Sequence, residues 1–371
     1  WGSKKKIFQG LYCSNQNIFK KGITIRKRKK NFLFVGNLLK AKGVNELIDS
    51  FKIFAKSHQD WKLTIVGNGP LKKMIPKHNN IEYLNGEYHL TKDLVIKKNY
   101  FLSKGNKLNI KEGVRLFFKE DVSLISEGSI FFNGTKEQPI IIYGDKGNGS
   151  LILSNNNYNF KNVMFSHLSF PKNENKILYG GINLINSNVS IVDSEINNSH
   201  SEDAINIISS KTYIKNLKLN NISADAIDID FGELKFQDIE CKNILNDCLD
   251  VSGGEVQGQY LQAIDVKDKG LSFGENSTGN ITNSSFAKNK LAIAVKDGSQ
   301  LLLSEYNFKE NNFDIAVFNK KKEYGSSTLN LGVSKIENNP SILLGKNNYI
   351  LAKTNKEIKK VKNSYINNLF Y

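Results

Sequence analysis

Written from residue 203 in blocks of 22, the chain repeats one hydrophobic pattern, with DAINII, DAIDID, DCLDVS, KGLSFG and LAIAVK opening successive blocks. The third and fifth positions are apolar each time: Ile205/Ile207, Ile227/Ile229, Leu249/Val251, Leu271/Phe273 and Ile293/Val295. A sixth block is expected one residue late, at DIAVF, with Ile315/Val317 as its pair. Alternation of this kind sends the paired side chains to one face of a short strand. A coil of this length with three such strands is the unit of a parallel β-helix, in which each coil bonds to the next about 4.8 Å away. A leucine-rich horseshoe has a similar period but needs leucine at fixed spacing and a helical return. Here the returns are Asn, Ser and Lys alternating with apolar residues. The pattern therefore predicts a mainly β protein, a right-handed single-stranded parallel β-helix over residues 86–352, with a lysine-rich helical tail at 353–371.

The first 85 residues follow a different rhythm. NFLFV is a strand pattern that runs into a glycine-containing turn, after which Val44, Leu47, Ile48, Phe51 and Phe54 recur at helical spacing. WKLTIVGNGP repeats the strand and turn, and LKKMI is expected to begin a second helix. Two β-α units in tandem predict a parallel α/β sheet. These turns carry Gly36-Asn37-Leu38, Lys42-Gly43 and Gly67-Asn68-Gly69-Pro70. In them the segment resembles the C-terminal, Rossmann-like domain of GT-B (group 1) retaining glycosyltransferases, which use nucleotide sugars. The resemblance implies that Gly36, Asn37, Lys42, Gly67 and Gly69 meet a nucleotide diphosphate, with backbone N–H groups approaching it and Lys42 neutralising its charge. The family's usual arginine is Asn37 here, and the downstream half that grips sugar and ribose is replaced after residue 85. Residues 1–85 are thus expected to be a partial domain, not active in glycosyl transfer as this chain alone, with a fragment of a larger nucleotide-sugar-dependent glycosyltransferase as the alternative reading.

Residues 87–145, with Gly134-Thr135 and Pro139-Ile140, are similar to the opening of many bacterial β-helix proteins. The run from SEDAINI through ADAIDID and NDCLDVSG to DKGLSFGEN resembles bacterial right-handed parallel β-helix repeat proteins of the pectate-lyase-like type. That kinship implies a polysaccharide or glycan surface as partner. It assigns no catalytic residue.

Charge changes this picture in one place. The net +16 is concentrated in residues 1–85, which hold 18 basic against 4 acidic residues, while residues 86–350 hold 29 against 31. The basic run from Arg26 to Lys30 has no RNA- or DNA-binding motif beside it, so a solvated loop is expected rather than a nucleic-acid site. Cys13, Cys241 and Cys248 have neither CxxC spacing nor a neighbouring His pair, and buried thiols are expected. No apolar run reaches the ~18 residues of a membrane-spanning helix. No signal-peptide pattern opens the chain, which starts at Trp1. The β-helix suggests an extracellular or cell-surface setting, and the transferase-like part a cytoplasmic one.

Candidate chemistry follows from the repeat. With positions three and five inward, positions two, four and six are expected to face out, so Asp228 and Asp250 should stack one coil apart, with Asp230 and Lys296 beside them. Like charges so close cannot both ionise cheaply, so the pair should share a proton or hold a cation such as Ca²⁺. Three readings stay open: Asp and Asn ladders that satisfy one another, a cation site, or a polysaccharide hydrolase or lyase. In a hydrolase one acid protonates a leaving oxygen; in a lyase Lys296 takes the proton. Asp203, Asp225 and Asp247 recur at position one and are expected to hold turn backbones, with Lys269 pairing to Asp247. His200 is the only histidine expected near this face.

Overall fold

The computed structural model describes residues 30–76, 81–84, 86–119, 121–171, 178–332, 340–352 and 358–371. Cys13 and the basic run before Lys30 lie outside the described residues. The chain divides into two compact units, residues 1–85 and 86–371.

In the first unit, strands β1 (Asn31–Val35), β2 (Lys62–Val66) and β3 (Ile81–Leu84) form a parallel sheet in sequence order. Helix α1 (Val44–Ser57) buries Val44, Ile48, Phe51 and Ala55, and these pack with Leu63 and Ile65 of β2 in one small core. The second expected helix is only a 3-10 turn, Pro70–Met74, consistent with proline fixing the first turn without an apolar face long enough to propagate it.

The second unit is a parallel β-solenoid of about eleven turns, and 57% of the described residues of the chain are strand. Its strands stack into a 16-stranded and a 12-stranded sheet. The interior is filled by the apolar pairs read from the repeat: Ile205, Ile207, Ile227, Ile229, Leu249, Val251, Leu271, Phe273, Ile293 and Val295 are all 0% exposed. Register is exact where the repeat is regular, Ile205 facing Ile227 and Ile227 facing Leu249. The expected one-residue slip is absent, because Leu291 pairs with Phe313 and Ile293 with Ile315. Corners use left-handed asparagines, and Asn198, Asn221 and Asn243 stack with side-chain hydrogen bonds of 3.2 and 3.0 Å from coil to coil. Asparagine tolerates this conformation and bonds to its own kind along the stack.

Two further expectations are corrected. The solenoid does not close at residue 352: the strand Ile358–Val361 pairs with Ile342–Gly345, and helix α2 (Asn363–Phe370) follows. Ile366 and Phe370 of α2 bury against Leu291, Ala294, Ala316, Phe318 and Leu343, so the helix covers the outer face of the 12-stranded sheet over its C-terminal strands. The second correction concerns Cys241 and Cys248, which are not free thiols but a disulfide in the core, with Cα atoms 5.9 Å apart. The bond spans the corner from one sheet to the other across seven residues of sequence. Closing so short a loop stabilises by about 2 kcal/mol in the chain-entropy account. Reduction, or Cys241→Ser with Cys248→Ser, should therefore lower stability in urea by about that amount, and thiol counting in denaturant without reductant should find one bonded pair.

Candidate functional site

The outer face of the 12-stranded sheet carries three parallel rows of side chains between residues 203 and 296. Position four supplies Asn206, Asp228, Asp250 and Ser272, paired in that order by the register. The adjacent row supplies Ile208, Asp230, Ser252 and Gly274. The third row departs from the sequence reading. Position two points inward, since Ala204, Ala226 and Cys248 belong to the solenoid core, and position one faces the acids instead. The ladder Asp203, Asp225, Asp247, Lys269 lies along the same face as Asp228 and Asp250, close enough for the surrounding carboxylates to raise Asp203, Asp225 and Asp228.

Two of the three position-one acids, Asp225 and Asp247, hold backbones as expected. Asp225 Oδ1 accepts from the Asp247 N–H at 2.7 Å, and Asp247 Oδ1 from the Lys269 N–H at 2.9 Å. Lys269 Nζ reaches Asp247 at 3.4 Å and also bonds to Asp268. Asn206 donates to Asp228 Oδ2 at 3.0 Å. Lys296 Nζ donates to Ser272 Oγ at 2.6 Å and stands 3.7 Å from Asp250 Oδ1. It stretches across Gly274, where a Cβ would lie 3.0 Å from Lys296 Cε, so glycine leaves the channel this side chain occupies. The four predicted residues Asp228, Asp230, Asp250 and Lys296 are thus brought together.

Electrostatics separate them by role. Burial pushes Asp228 up to about 8, with Asp203, Asp230 and Asp250 adding repulsion and the Asn206 bond opposing it. Asp203 also rises to about 8, by burial and then by Asp225 and Glu202. Burial and Asp250 raise Asp230. Burial opposes the charge on Lys296, but Asp250, Tyr371 and Asp247 outweigh it and hold its proton above the ordinary lysine range. The raised Asp228 favours a protonated carboxyl that can donate a hydrogen bond, and the raised Lys296 favours the ammonium over a proton-abstracting amine.

Sequence reasoning missed the wall of this site. Tyr371, next after α2, places its ring 3.5 Å from Lys320 Nζ, 4.6 Å from Lys269 Nζ and 5.9 Å from Lys296 Nζ. The signal was present in the rows: Ala294, Ala316 and Leu343 follow the polar residues at position four and form the apolar footprint of α2. His200 does not join the acids; its ring lies 5.7 Å from that of His167 and packs against Gly147. Among the described residues no group of three or more His, Cys, Asp or Glu is arranged to hold a metal.

In the first unit, Gly36, Asn37, Lys42, Gly67 and Gly69 gather beyond the carboxyl ends of β1 and β2, where open α/β sheets place their ligands. The two glycine turns lock together. The Gly36 N–H donates to Val66 O at 3.0 Å, the Leu38 N–H to Asn68 O at 2.9 Å, and the Gly69 N–H to Asn68 Oδ1 at 2.9 Å. A Cβ on Gly67 would meet Gly36 O at 1.9 Å. These glycines permit close packing of two loops, and the N–H groups of Gly36 and Gly69 are already committed. Lys42 is exposed just before α1.

Compared with known families, residues 15–95 match the profile of "Glycosyl transferases group 1". Comparison with curated proteins gives no match. Among solved structures, the catalytic domain of a GH87 α-1,3-glucanase in complex with nigerose aligns with 91% of this chain and 69% of its own, at 8% identity and a TM-score of 0.35. PfbA, a surface adhesin of Streptococcus pneumoniae, aligns with 74% of this chain and 86% of its own, at 12% identity and a TM-score of 0.28.

Proposed function

We propose that the chain is a glycan-binding surface module whose binding face is the polar outer side of the 12-stranded sheet. The observation that carries this reading is the register of Asn206, Asp228, Asp250 and Ser272, with Lys296 bonded to Ser272 and 3.7 Å from Asp250. Asp228, Asp230 and Asp250 are the half-buried members of this face, and the buried Asn206, Ser272 and Lys296 hold them in place, so a rigid row of carboxyl groups is what a polyhydroxylated ligand would meet. The core disulfide supports an oxidising compartment, where such bonds persist. No helix among the described residues is long and apolar enough to cross a membrane.

Asp228→Asn and Asp250→Asn should each weaken binding to polysaccharide about tenfold in affinity electrophoresis, the loss of one hydrogen bond to a charged or strongly polar group. Wild-type affinity for no polysaccharide, or affinity unmoved in both variants, removes this face from consideration. A second reading, hydrolysis, is favoured by the raised Asp228, since a carboxyl that keeps its proton at pH 7 is what a general acid requires. It predicts release of reducing ends that disappears with Asp228→Asn. Ca²⁺ between Asp228 and Asp250 is the remaining occupant, and it would have to ionise an acid that burial keeps neutral. For the first unit, the family match supports a diphosphate contact at Lys42, on a fragment without the sugar-gripping half.

A further inference from the structure

The 16-stranded sheet carries a second, unrelated surface feature. Phe131, Asn159, Ser190, Tyr213, Lys235, Gln257 and Asn280 form one outward row, each in register with the next. Two hollows lie along it, of about 550 and 540 Å³, and both are bordered by Tyr213 and Lys235. They form one groove. In the first hollow the rings of Phe131 and Tyr213 stand three register steps apart, about 14 Å at the strand spacing, with the short side chains of Asn159 and Ser190 between them as floor. Tyr213 is 42% exposed, although a tyrosine on a sheet face can bury its ring against its neighbours. In the second hollow, Gly258 lies in register between the core residues Phe236 and Ile281, and the Phe236 ring fills the interior space that a Cβ would need, 2.0 Å away. Gln257, Gln259, Asn280 and Thr282 line the rest.

We propose that this groove binds an extended neutral oligosaccharide, lying along the solenoid axis at about one sugar per coil. Three features select that ligand. Aromatic faces stack on the C–H face of a pyranose, while amides and hydroxyls supply paired donors and acceptors for its hydroxyls. Consecutive coils repeat these groups at about 4.8 Å, and a glycan strand repeats on the order of 5 Å. The rim charges Lys211 and Glu233 neutralise each other at 2.8 Å, no acid lines the groove beside Glu233, and Lys235 is positioned to donate to ligand hydroxyls. A peptide strand is disfavoured, because strand addition needs unpaired edge groups and the backbone here is committed to its ladder on both sides.

The site is independent of the acid-bearing face, so its test uses different residues. Calorimetric titration of the full chain with neutral hexasaccharides of the β-1,4-glucan, β-1,3-glucan, α-1,3-glucan, mannan and chitin types should find at least one that binds with little salt dependence. Tyr213→Ala and Ser190→Tyr, the second filling the floor between the rings, should each weaken it tenfold or more, whereas Tyr213→Trp should retain it. Unaltered melting of these variants separates lost binding from lost folding. The proposal is overturned if no hexasaccharide binds at millimolar concentration, or if binding survives both groove variants. It is equally overturned if binding disappears with Asp228→Asn alone, which assigns the ligand to the other sheet.

Discussion

Lys269→Ala should destabilise the solenoid by about 3–5 kcal/mol, the range for removing one partner of a buried ion pair. Both partners have side chains only 3% exposed, with Lys269 Nζ 3.4 Å from Asp247 and Asp268 bonded on its other side. The loss leaves Asp247 beside Asp225 and Asp250 without the cation that counters its burial, and Lys296, which stands against Asp250, is the cation that remains nearby. Replacing both members by neutral groups of similar size, Lys269→Met with Asp247→Asn, should recover most of the stability. A buried pair is weak evidence of net stabilisation even though breaking it is severe. Urea denaturation of the single and double variants checks this. A single-variant loss below ~1 kcal/mol, outside that range, would show that the pair is solvated in solution.

The second large effect concerns pH. Asp203 and Asp228 are held near 8 in the folded chain against a reference of 3.8, so between those values the native state binds more protons than the unfolded one. The slope of unfolding free energy with pH is then negative. Their contribution is fully present below pH ~4, is lost as pH rises to ~8, and stays flat beyond. Four units at about 1.4 kcal/mol each set an upper bound of ~6 kcal/mol per carboxyl. Mutual repulsion makes the two non-additive. The melting midpoint should therefore fall between pH 4.5 and 8.5. Asp228→Asn, whose amide oxygen can still accept from Asn206, should raise it at pH 8.5 by several degrees, about 2 kcal/mol, with little change at pH 4.5. A midpoint that climbs over this range, or a variant indistinguishable from wild type at both pH values, rejects the assignment. A ligand that protonates or pairs with these acids should flatten the profile.

Much of the solenoid could be read from one period. Ile227 and Ile229 lie inside and Asp228 meets Asp250 because a 22-residue repeat and two-residue alternation determine which side chains stack. Alternation failed at the strand entry, where Asp225 and Ile227 share parity yet face opposite sides, with Ala226 turned into the core. A backbone irregularity there brings a whole row of acids and Lys269 to the site, and no residue type announces it. The Cys241–Cys248 pair was missed for a related reason: its spacing matches no motif, and only the corner between sheets brings the two sulfurs together. Tyr371 is remote in sequence from every group it touches, and its placement depends on where α2 docks. In the first unit the glycine turns were found, but their committed N–H groups depend on the pairing of two loops that residue patterns do not specify.

The coil-to-coil pairing also has a mechanical meaning. Every strand of the regular region bonds only to the coil before and the coil after, and the disulfide joins neighbours at a corner rather than distant coils. Tension applied at an end would peel the stack one 22-residue turn at a time, each releasing about 7 nm of extended chain. Load borne crosswise would instead be shared by the whole stack at once, so the protein is compliant along one direction and stiff across it.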